Sequence, residues 1–165
     1  MAKLVHSVIT SRIDYCNSLF LNITKENINK LQKVQNAAAR LVFGKRRRES
    51  VRDALRELHW LTVDSRIIFK TVLIVFKAVR GICSENIQLS YKPFNGRKND
   101  FLLLNTPNFK TKYGKRIFEY NGTRLWNALP CEMRMEEDVA KFKTDLKTLL
   151  FDGTLDFKRR AFRYQ

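Results

Sequence analysis

The sequence predicts a mainly α-helical fold, a compact bundle of about six to seven helices. Hydrophobic residues make up 44% of its 165 residues and include 12 Phe, so the chain has enough apolar side chains for a buried core. Its 6 Gly and 3 Pro are too few for a turn-rich β architecture. A chain of this length suits one domain, which we place at residues 1–151, followed by a basic C-terminal tail at 152–165.

The first two helices are predicted to pack as an antiparallel hairpin. Residues 3–20 carry apolar side chains close to helical spacing, which indicates a first helix. Thr24 is a suitable N-cap for a second helix because its hydroxyl can accept a backbone hydrogen bond. Gly44 is expected to end that helix, since glycine adopts the left-handed conformation of a helix stop without steric cost.

A short third helix and a long fourth helix follow. Ser50 is the expected N-cap of the third helix, which ends at residues 59–60. Thr62 is expected to begin a fourth helix over residues 62–80, and Gly81 to end it. The fourth helix is apolar almost all round, so we expect it to be the central element of the core.

The middle of the chain gives weaker signals. Ser84 is expected to cap a brief fifth helix through Leu89. The segments 101–105 and 109–113 flank a turn and could pair as a small β-hairpin near residues 101–113. An apolar run of this length does not distinguish a strand from a helix, so both interpretations stay open.

Two helices are predicted in the last third of the chain. One covers residues 116–129 and stops before Pro130, because proline disfavours helical backbone in the residue that precedes it. The other covers residues 136–151, with apolar residues along one side. Its first turn holds the acidic run 136–138, for which we expect complementation of the helix dipole rather than metal binding.

The charge of the chain is strongly positive. Lys and Arg number 32 against 16 Asp and Glu, which gives a formal net charge of +16. Such a charge attracts polyanions and favours association with nucleic acid or an acidic membrane surface, without implying sequence specificity. Neither a zinc knuckle nor a disulfide framework is indicated, because the three cysteines lie far apart and have no Cys-x-x-Cys spacing. No signal peptide or membrane-spanning run is recognisable, so we expect no membrane partner and a nuclear or cytoplasmic, reducing location.

Basic residues recur along one edge of the fourth predicted helix. At 100° per residue they share a stripe about 80° wide. The four residues are Arg66, Lys70, Lys77 and Arg80. Such a row could contact successive phosphates of a nucleic acid. The alternative interpretation is that these residues form the solvated face of a core helix.

A second basic group follows the predicted helix end at Gly44. It consists of Lys45, Arg46, Arg47 and Arg48. We interpret it as a nucleic-acid contact or a nuclear-import-like patch, and a solvated basic loop is the alternative. Further residues could extend this surface from the second helix and from the tail. They are Lys33, Arg40, Lys158, Arg159, Arg160 and Arg163.

The aromatic and histidine side chains give no catalytic pattern. Trp60 and Trp126 lie at core spacing, so we expect them to be buried anchors rather than base-stacking platforms. His59 is expected at a helix end or in a core hydrogen bond, because no nucleophile lies near it in the sequence. We therefore expect no catalytic residues, no metal, no cofactor and no small-molecule substrate.

Several short segments follow one another in a fixed order along the chain. They are SRIDYCNSL at 11–19, LQKVQNAAARLV at 31–42, LRELHWL at 55–61, RIIFK at 66–70, FKAVRG at 76–81, YGKRIF at 113–118, RLWNALP at 124–130 and FKTDLK at 142–147. In this order they resemble the region that follows the polymerase core in non-LTR (LINE-type, jockey/CR1/L2-like) retrotransposon reverse transcriptases. The similarity covers residues 4–151.

The resemblance implies a non-catalytic C-terminal fragment of a retrotransposon protein. A polymerase of that family needs an aromatic-x-Asp-Asp turn that holds two metal ions, and this sequence has no Asp-Asp pair. Helices after such a core commonly act as a thumb that closes on the template and primer. The resemblance thus implies sequence-tolerant binding of RNA or an RNA/DNA hybrid, with a reverse transcriptase core in trans as a further candidate partner.

Two other hypotheses stay open. One is a helical protein–protein interaction module, which a large exposed apolar patch on the second or fourth helix would favour. The other is a relic without selected function, left by a truncated retroelement. An enzyme is the class that the sequence favours least.

Overall fold

Helices dominate the computed structural model, which describes residues 2–83, 87, 89–97 and 101–153. The mainly α prediction is confirmed. The chain forms two compact units, Met1–Ile67 and Ile68–Gln165, and the division falls within one helix. The α-helices are α1 (Ala2–Val5), α2 (Ser11–Asp14), α3 (Lys25–Phe43), α4 (Arg52–Glu57), α5 (Val63–Val79), α6 (Phe118–Asn127), α7 (Cys131–Met135) and α8 (Val139–Asp152).

The first helical segment is shorter than predicted. A π-helix, His6–Thr10, links α1 to α2, and the segment ends at Asp14 rather than continuing to residue 20. Cys16 takes the left-handed conformation, with a φ of 49°, and a 3₁₀ helix, Asn17–Phe20, follows it. The apolar spacing does not reveal this break, because side-chain contacts of Asp14 described below hold the chain there.

The ends of α3 follow the predicted signals. Gly44 has a φ of 61° and ends the helix, as predicted. Thr24 is the N-cap residue, although its hydroxyl makes no cap hydrogen bond. The inner face of α3 packs into the core of the first unit. The buried residues of that core are Val5, Ala38, Ala39, Val51, Ala54, Leu55 and Trp60.

The capping predictions for the next two helices had different outcomes. Val51, and not Ser50, is the N-cap of α4, so that prediction was wrong. The hydroxyl of Thr62 accepts a hydrogen bond from the backbone N–H of Ser65 at 3.3 Å, which fits its predicted place at the start of α5. Gly81 has a φ of 67°, as expected of the residue that stops a helix.

The predicted core position of α5 is confirmed by its burial. In the first unit Val63 and Ile67 pack in a cluster with Ile13. In the second unit Val72, Val75 and Phe76 have no exposed area. No helix among the described residues is long and apolar enough to cross a membrane.

Three aromatic rings form the centre of the second unit. Phe76 stacks on Phe142 with ring centroids 4.0 Å apart, and the Trp126 ring lies 6.3 Å from Phe142. All three side chains are fully buried. The indole N–H of Trp126 donates to the carbonyl of Leu102 at 2.8 Å, which satisfies its one polar atom.

Extended backbone before α6 is held by single hydrogen bonds rather than by a sheet. Leu104 pairs with Tyr91 in an isolated antiparallel bridge. The side chain of Asn127 donates to the carbonyl of Leu104 and accepts its N–H, at 2.8 and 2.9 Å. The segment 109–113 contains no strand. Most of the brief helix expected from Ser84 to Leu89 lies outside the described residues.

The last helices begin later than predicted. A 3₁₀ helix, Gly114–Arg116, precedes α6, and α7 after Pro130 was not predicted at all. The final helix, α8, begins after residue 138 instead of at 136. The reason is that the Asp138 carboxylate accepts the Ala140 N–H at 2.9 Å as the N-cap.

We expect Phe142→Ala to lower the free energy of unfolding by about 3–5 kcal/mol, because it removes the ring that touches both other aromatics and leaves a cavity. Urea-induced unfolding would measure this change. Phe94→Ala removes the same group from an exposed position and should cost less than about 1.5 kcal/mol. Equal losses in the two variants would contradict the assigned core.

Candidate nucleic-acid interface

Residues 45–50, here called the arginine turn, connect α3 to α4 in a fixed conformation. The N–H of Lys45 bonds the carbonyl of Arg40 at 3.0 Å, and the N–H of Glu49 bonds the carbonyl of Arg46 at 3.1 Å. The carboxylate of Glu49 accepts the N–H of Arg46 at 3.2 Å. Together these bonds close the turn at both ends, so its side chains project from an ordered backbone.

The arginine turn carries a concentrated positive charge. Arg46, Arg47 and Arg48 are exposed. Within the described residues no carboxylate lies at ion-pair distance from any of these three guanidinium groups. The single carboxylate of the turn, that of Glu49, bonds backbone. Three adjacent guanidinium groups therefore face solvent, where each can bond a phosphate.

Two of the residues that were predicted to contact nucleic acid hydrogen-bond to the backbone of the turn instead of adding to its exposed charge. The Arg40 guanidinium is half-buried and donates to the carbonyl of Glu49 at 3.2 Å. The ammonium of Lys45 reaches the carbonyl of Ser50 at 3.5 Å. By contrast, Lys33 is exposed on α3, as its predicted role requires.

Arg66, the first member of the predicted stripe on α5, is engaged inside the first unit. Its guanidinium forms a two-pronged ion pair with the carboxylate of Asp14, in which Nη2 and Oδ2 are 2.7 Å apart. Both side chains are about five-sixths buried, at 15% and 17% exposed. The pair fixes the end of α2 against the start of α5, which explains why the first helical segment stops at Asp14.

Arg80, the last member of the stripe, is engaged inside the second unit. Its Nη2 donates to the carbonyls of Arg134 and Glu136, at 3.0 and 2.5 Å. Its guanidinium carbon lies 5.7 Å from the centroid of the Phe76 ring, a cation–π distance. These contacts satisfy the carbonyls that α7 leaves open at its end.

Lys70 and Lys77, between these two arginines, are half-buried. The regular spacing of the stripe therefore does not make its members equivalent. Both arginines bond protein oxygen atoms, and neither lysine is fully exposed. The tail residues Lys158, Arg159, Arg160 and Arg163 lie outside the described part of the chain.

The predictions for the other singled-out side chains can be compared with their burial. Trp60 and Trp126 are buried, at 5% and 0% exposed, so the prediction that they are core anchors is confirmed. His59 is exposed and takes a φ of 52° two residues after the end of α4, near a helix end as one prediction had it. No group of three or more His, Cys, Asp or Glu in the described ranges could hold a metal ion.

The acidic run 136–138 belongs to the start of α8. Asp138 caps the helix, and the Glu136 carboxylate pairs with the ammonium of Lys141. The hydrogen bond from Lys141, followed by that from the backbone N–H of Asp138, lowers the pKa of Glu136. The same pair raises the pKa of Lys141. The run therefore precedes α8 instead of lying in its first turn as predicted, and Asp138 acts there as the N-cap.

A second basic segment, residues 110–116, was missed at the sequence level. It carries Tyr113, the most exposed of the large hydrophobic side chains described. The signal was visible as an aromatic residue among four Lys and Arg in a stretch without acidic residues.

No protein-family model, no curated protein and no solved structure matches this chain.

Replacing Arg66 should reduce stability, because Arg66→Gln leaves the carboxylate of Asp14 without its charged partner. We expect a loss of about 2 kcal/mol in the free energy of unfolding. Arg47→Gln removes the same charge from the exposed arginine turn and should change stability by less than about 0.5 kcal/mol. Urea unfolding of both variants is the measurement, and a loss of similar size in both would disprove the structural role of Arg66.

Stability should also depend on Glu136 at acid pH. Because its pKa is lowered on folding, the carboxylate stabilises the fold above its unfolded-state pKa, and this contribution is lost as the pH falls through the folded-state pKa. In Glu136→Gln the free energy of unfolding should fall less steeply as the pH is lowered. Glu137→Gln, one residue away, is the control. The same pH dependence in both variants would contradict the contribution of the Glu136–Lys141 pair.

Proposed function

We propose that this chain binds RNA or an RNA/DNA hybrid without sequence preference, through the arginine turn and Lys33. The observation that carries this proposal is the exposure of Arg46, Arg47 and Arg48 on a turn closed by backbone hydrogen bonds. Because the backbone of the turn is already ordered, binding of phosphate has to restrict only the rotamers of these side chains.

The binding mode follows from the type of side chain. Each phosphate that is neutralised releases condensed counterions, so affinity falls as salt rises. Arginine can bond two phosphate oxygens at once, which positions a strand without reading its bases. The net charge of +16 adds long-range attraction to this local contact. None of these contributions distinguishes one sequence from another.

The resemblance to the region after the polymerase core of LINE-type reverse transcriptases supports a thumb-like role for the chain. Under this proposal it is a non-catalytic part of such a retroelement protein, located in a reducing nuclear or cytoplasmic environment. Contacts of this kind hold a template and primer while another domain performs the chemistry.

An exposed apolar face on α3 favours protein–protein interaction as a second candidate function. Val34 and Leu41, seven residues apart on one face, are 51% and 61% exposed. Ala37 lies between them and is also exposed. Such a face suits a helical partner, for which a reverse transcriptase core in trans is the candidate.

The test is fluorescence anisotropy of labelled RNA duplex and RNA/DNA hybrid, titrated with the purified chain at several salt concentrations. The triple variant R46Q/R47Q/R48Q should bind more weakly. It should also lower the slope of log affinity against log salt by about 2 to 3, because three phosphate contacts are lost.

The matched control is K25Q/K92Q/K143Q, which removes three charges from scattered exposed positions. This variant should keep most of the salt dependence of binding, since the three lysines are far apart in the sequence and do not form a cluster like that of the arginine turn. Equal slopes for the two triple variants would show non-specific attraction by net charge alone. Absence of binding at low salt would leave the interaction-module and relic hypotheses.

A further inference from the structure

The segment 110–116, here called the tyrosine loop, combines an open aromatic ring with several cations. Tyr113 is 81% exposed. The cations Lys110, Lys112 and Arg116 are exposed as well, and no acidic residue occurs between positions 101 and 118. What distinguishes Tyr113 from other exposed aromatic side chains is this group of cations around an accessible ring.

Hydrogen bonds fix the backbone of the tyrosine loop. The hydroxyl of Thr111 accepts the N–H of Gly114 at 3.1 Å, and the carbonyl of Tyr113 accepts the N–H of Arg116 at 2.9 Å. From α6, the side-chain amide of Asn121 donates to the carbonyls of Lys115 and Ile117, both at 2.9 Å. Asn121 itself is fully buried, so it holds the loop from inside the second unit.

A glycine is also required for this conformation. A Cβ on Gly114 would lie 2.8 Å from Cβ and Cγ of Phe109, which is closer than such atoms approach. The Phe109 ring in turn meets the Tyr120 ring of α6 edge-on, with centroids 6.3 Å apart. The loop is therefore packed against α6 on one side, while Tyr113 is left on the solvent side.

The Tyr113 ring has a cation beside it. The guanidinium carbon of Arg116 lies 5.9 Å from the ring centroid, a cation–π distance. Nucleic-acid bases stack on exposed aromatic rings, and neighbouring cations bond the phosphates on either side of the stacked base. A duplex hides its base faces within its own stack, so this arrangement fits an unpaired strand.

We propose that Tyr113 stacks on an unpaired base of a single-stranded nucleic acid, with Lys110, Lys112 and Arg116 bonding the adjacent phosphates. The ligand class is single-stranded RNA or DNA, since both offer the same base faces and phosphates. This role rests on the proposed nucleic-acid binding and adds to it a preference for unpaired segments, such as the template ahead of a primer end.

The experiment compares labelled single-stranded U12, dT12 and a 12-base-pair RNA duplex in anisotropy titrations. Tyr113→Ala should weaken single-strand binding by about fivefold or more, because it removes one stacked base. Tyr113→Phe keeps the ring and should bind like the unchanged chain. Affinity for the duplex should change by less than about twofold in both variants.

Tyr15 provides the matched control. It is 77% exposed but follows Asp14 instead of lying among cations. Tyr15→Ala should leave all three affinities unchanged. A strand with 2-aminopurine gives an independent readout, since its fluorescence should be quenched by the chain and by Tyr113→Phe but not by Tyr113→Ala.

Two outcomes would overturn the assignment: single-strand affinity that is the same in Tyr113→Ala as in the unchanged chain, or an equal loss in Tyr15→Ala. These results are distinguishable from failure of the proposed function. If the arginine turn alone binds, R46Q/R47Q/R48Q weakens duplex binding while Tyr113→Ala has no effect. If only the tyrosine loop binds nucleic acid, Tyr113→Ala weakens binding of U12 while R46Q/R47Q/R48Q has no effect on it.

Discussion

Burial of α5 is the constraint on which the placement of the positive charges depends. A helix whose residues Val72, Val75 and Phe76 have no contact with water offers little room for basic side chains. Arginine on such a helix must find protein oxygen atoms, because a desolvated charge without hydrogen bonds is costly. Arg66 finds the Asp14 carboxylate, and Arg80 finds two backbone carbonyls. These two arginines therefore have structural roles, although on a helical wheel they look equivalent to the other basic residues of the stripe.

The exposed cations of the arginine turn and of the tyrosine loop lie on backbone that is ordered by hydrogen bonds. In the arginine turn, side chains of Arg40 and Glu49 bond backbone atoms; in the tyrosine loop, Thr111 and Asn121 do so. Ordering before binding lowers the entropy that association must overcome, which is large for long basic side chains on a mobile chain. Each unit of the chain thus presents its charges on a backbone that is already in place.

Local signals in the sequence predicted the ends of α3 and of α5, whereas several other helix ends were misplaced. Gly44 and Gly81 adopt the left-handed conformation that only a residue without Cβ takes readily, so their role is visible from sequence alone. The break after Asp14 depends on Arg66, which is 52 residues away, and helical periodicity carries no information about such a partner. The short helix α7 has only five residues, too few to show a period.

The candidate interface, too, could be predicted from the sequence only in part. Clustering identified the residues of the arginine turn, since adjacent charges after a helix stop are seldom buried. Which members of the α5 stripe stay open could not be predicted, because that depends on the partners each guanidinium meets. The tyrosine loop was missed because exposure of Tyr113 follows from the packing of Phe109 and Gly114 against α6.

The buried amide of Asn121 has a consequence for chemical modification of the chain. Asn121, Gly122 and Thr123 form the Asn-x-Thr triplet to which N-linked glycans are attached, and the sugar is joined to the side-chain nitrogen of the asparagine. In the folded chain that nitrogen bonds the carbonyls of Lys115 and Ile117 and has no access to solvent. A glycan at this position and the fold described here are therefore mutually exclusive.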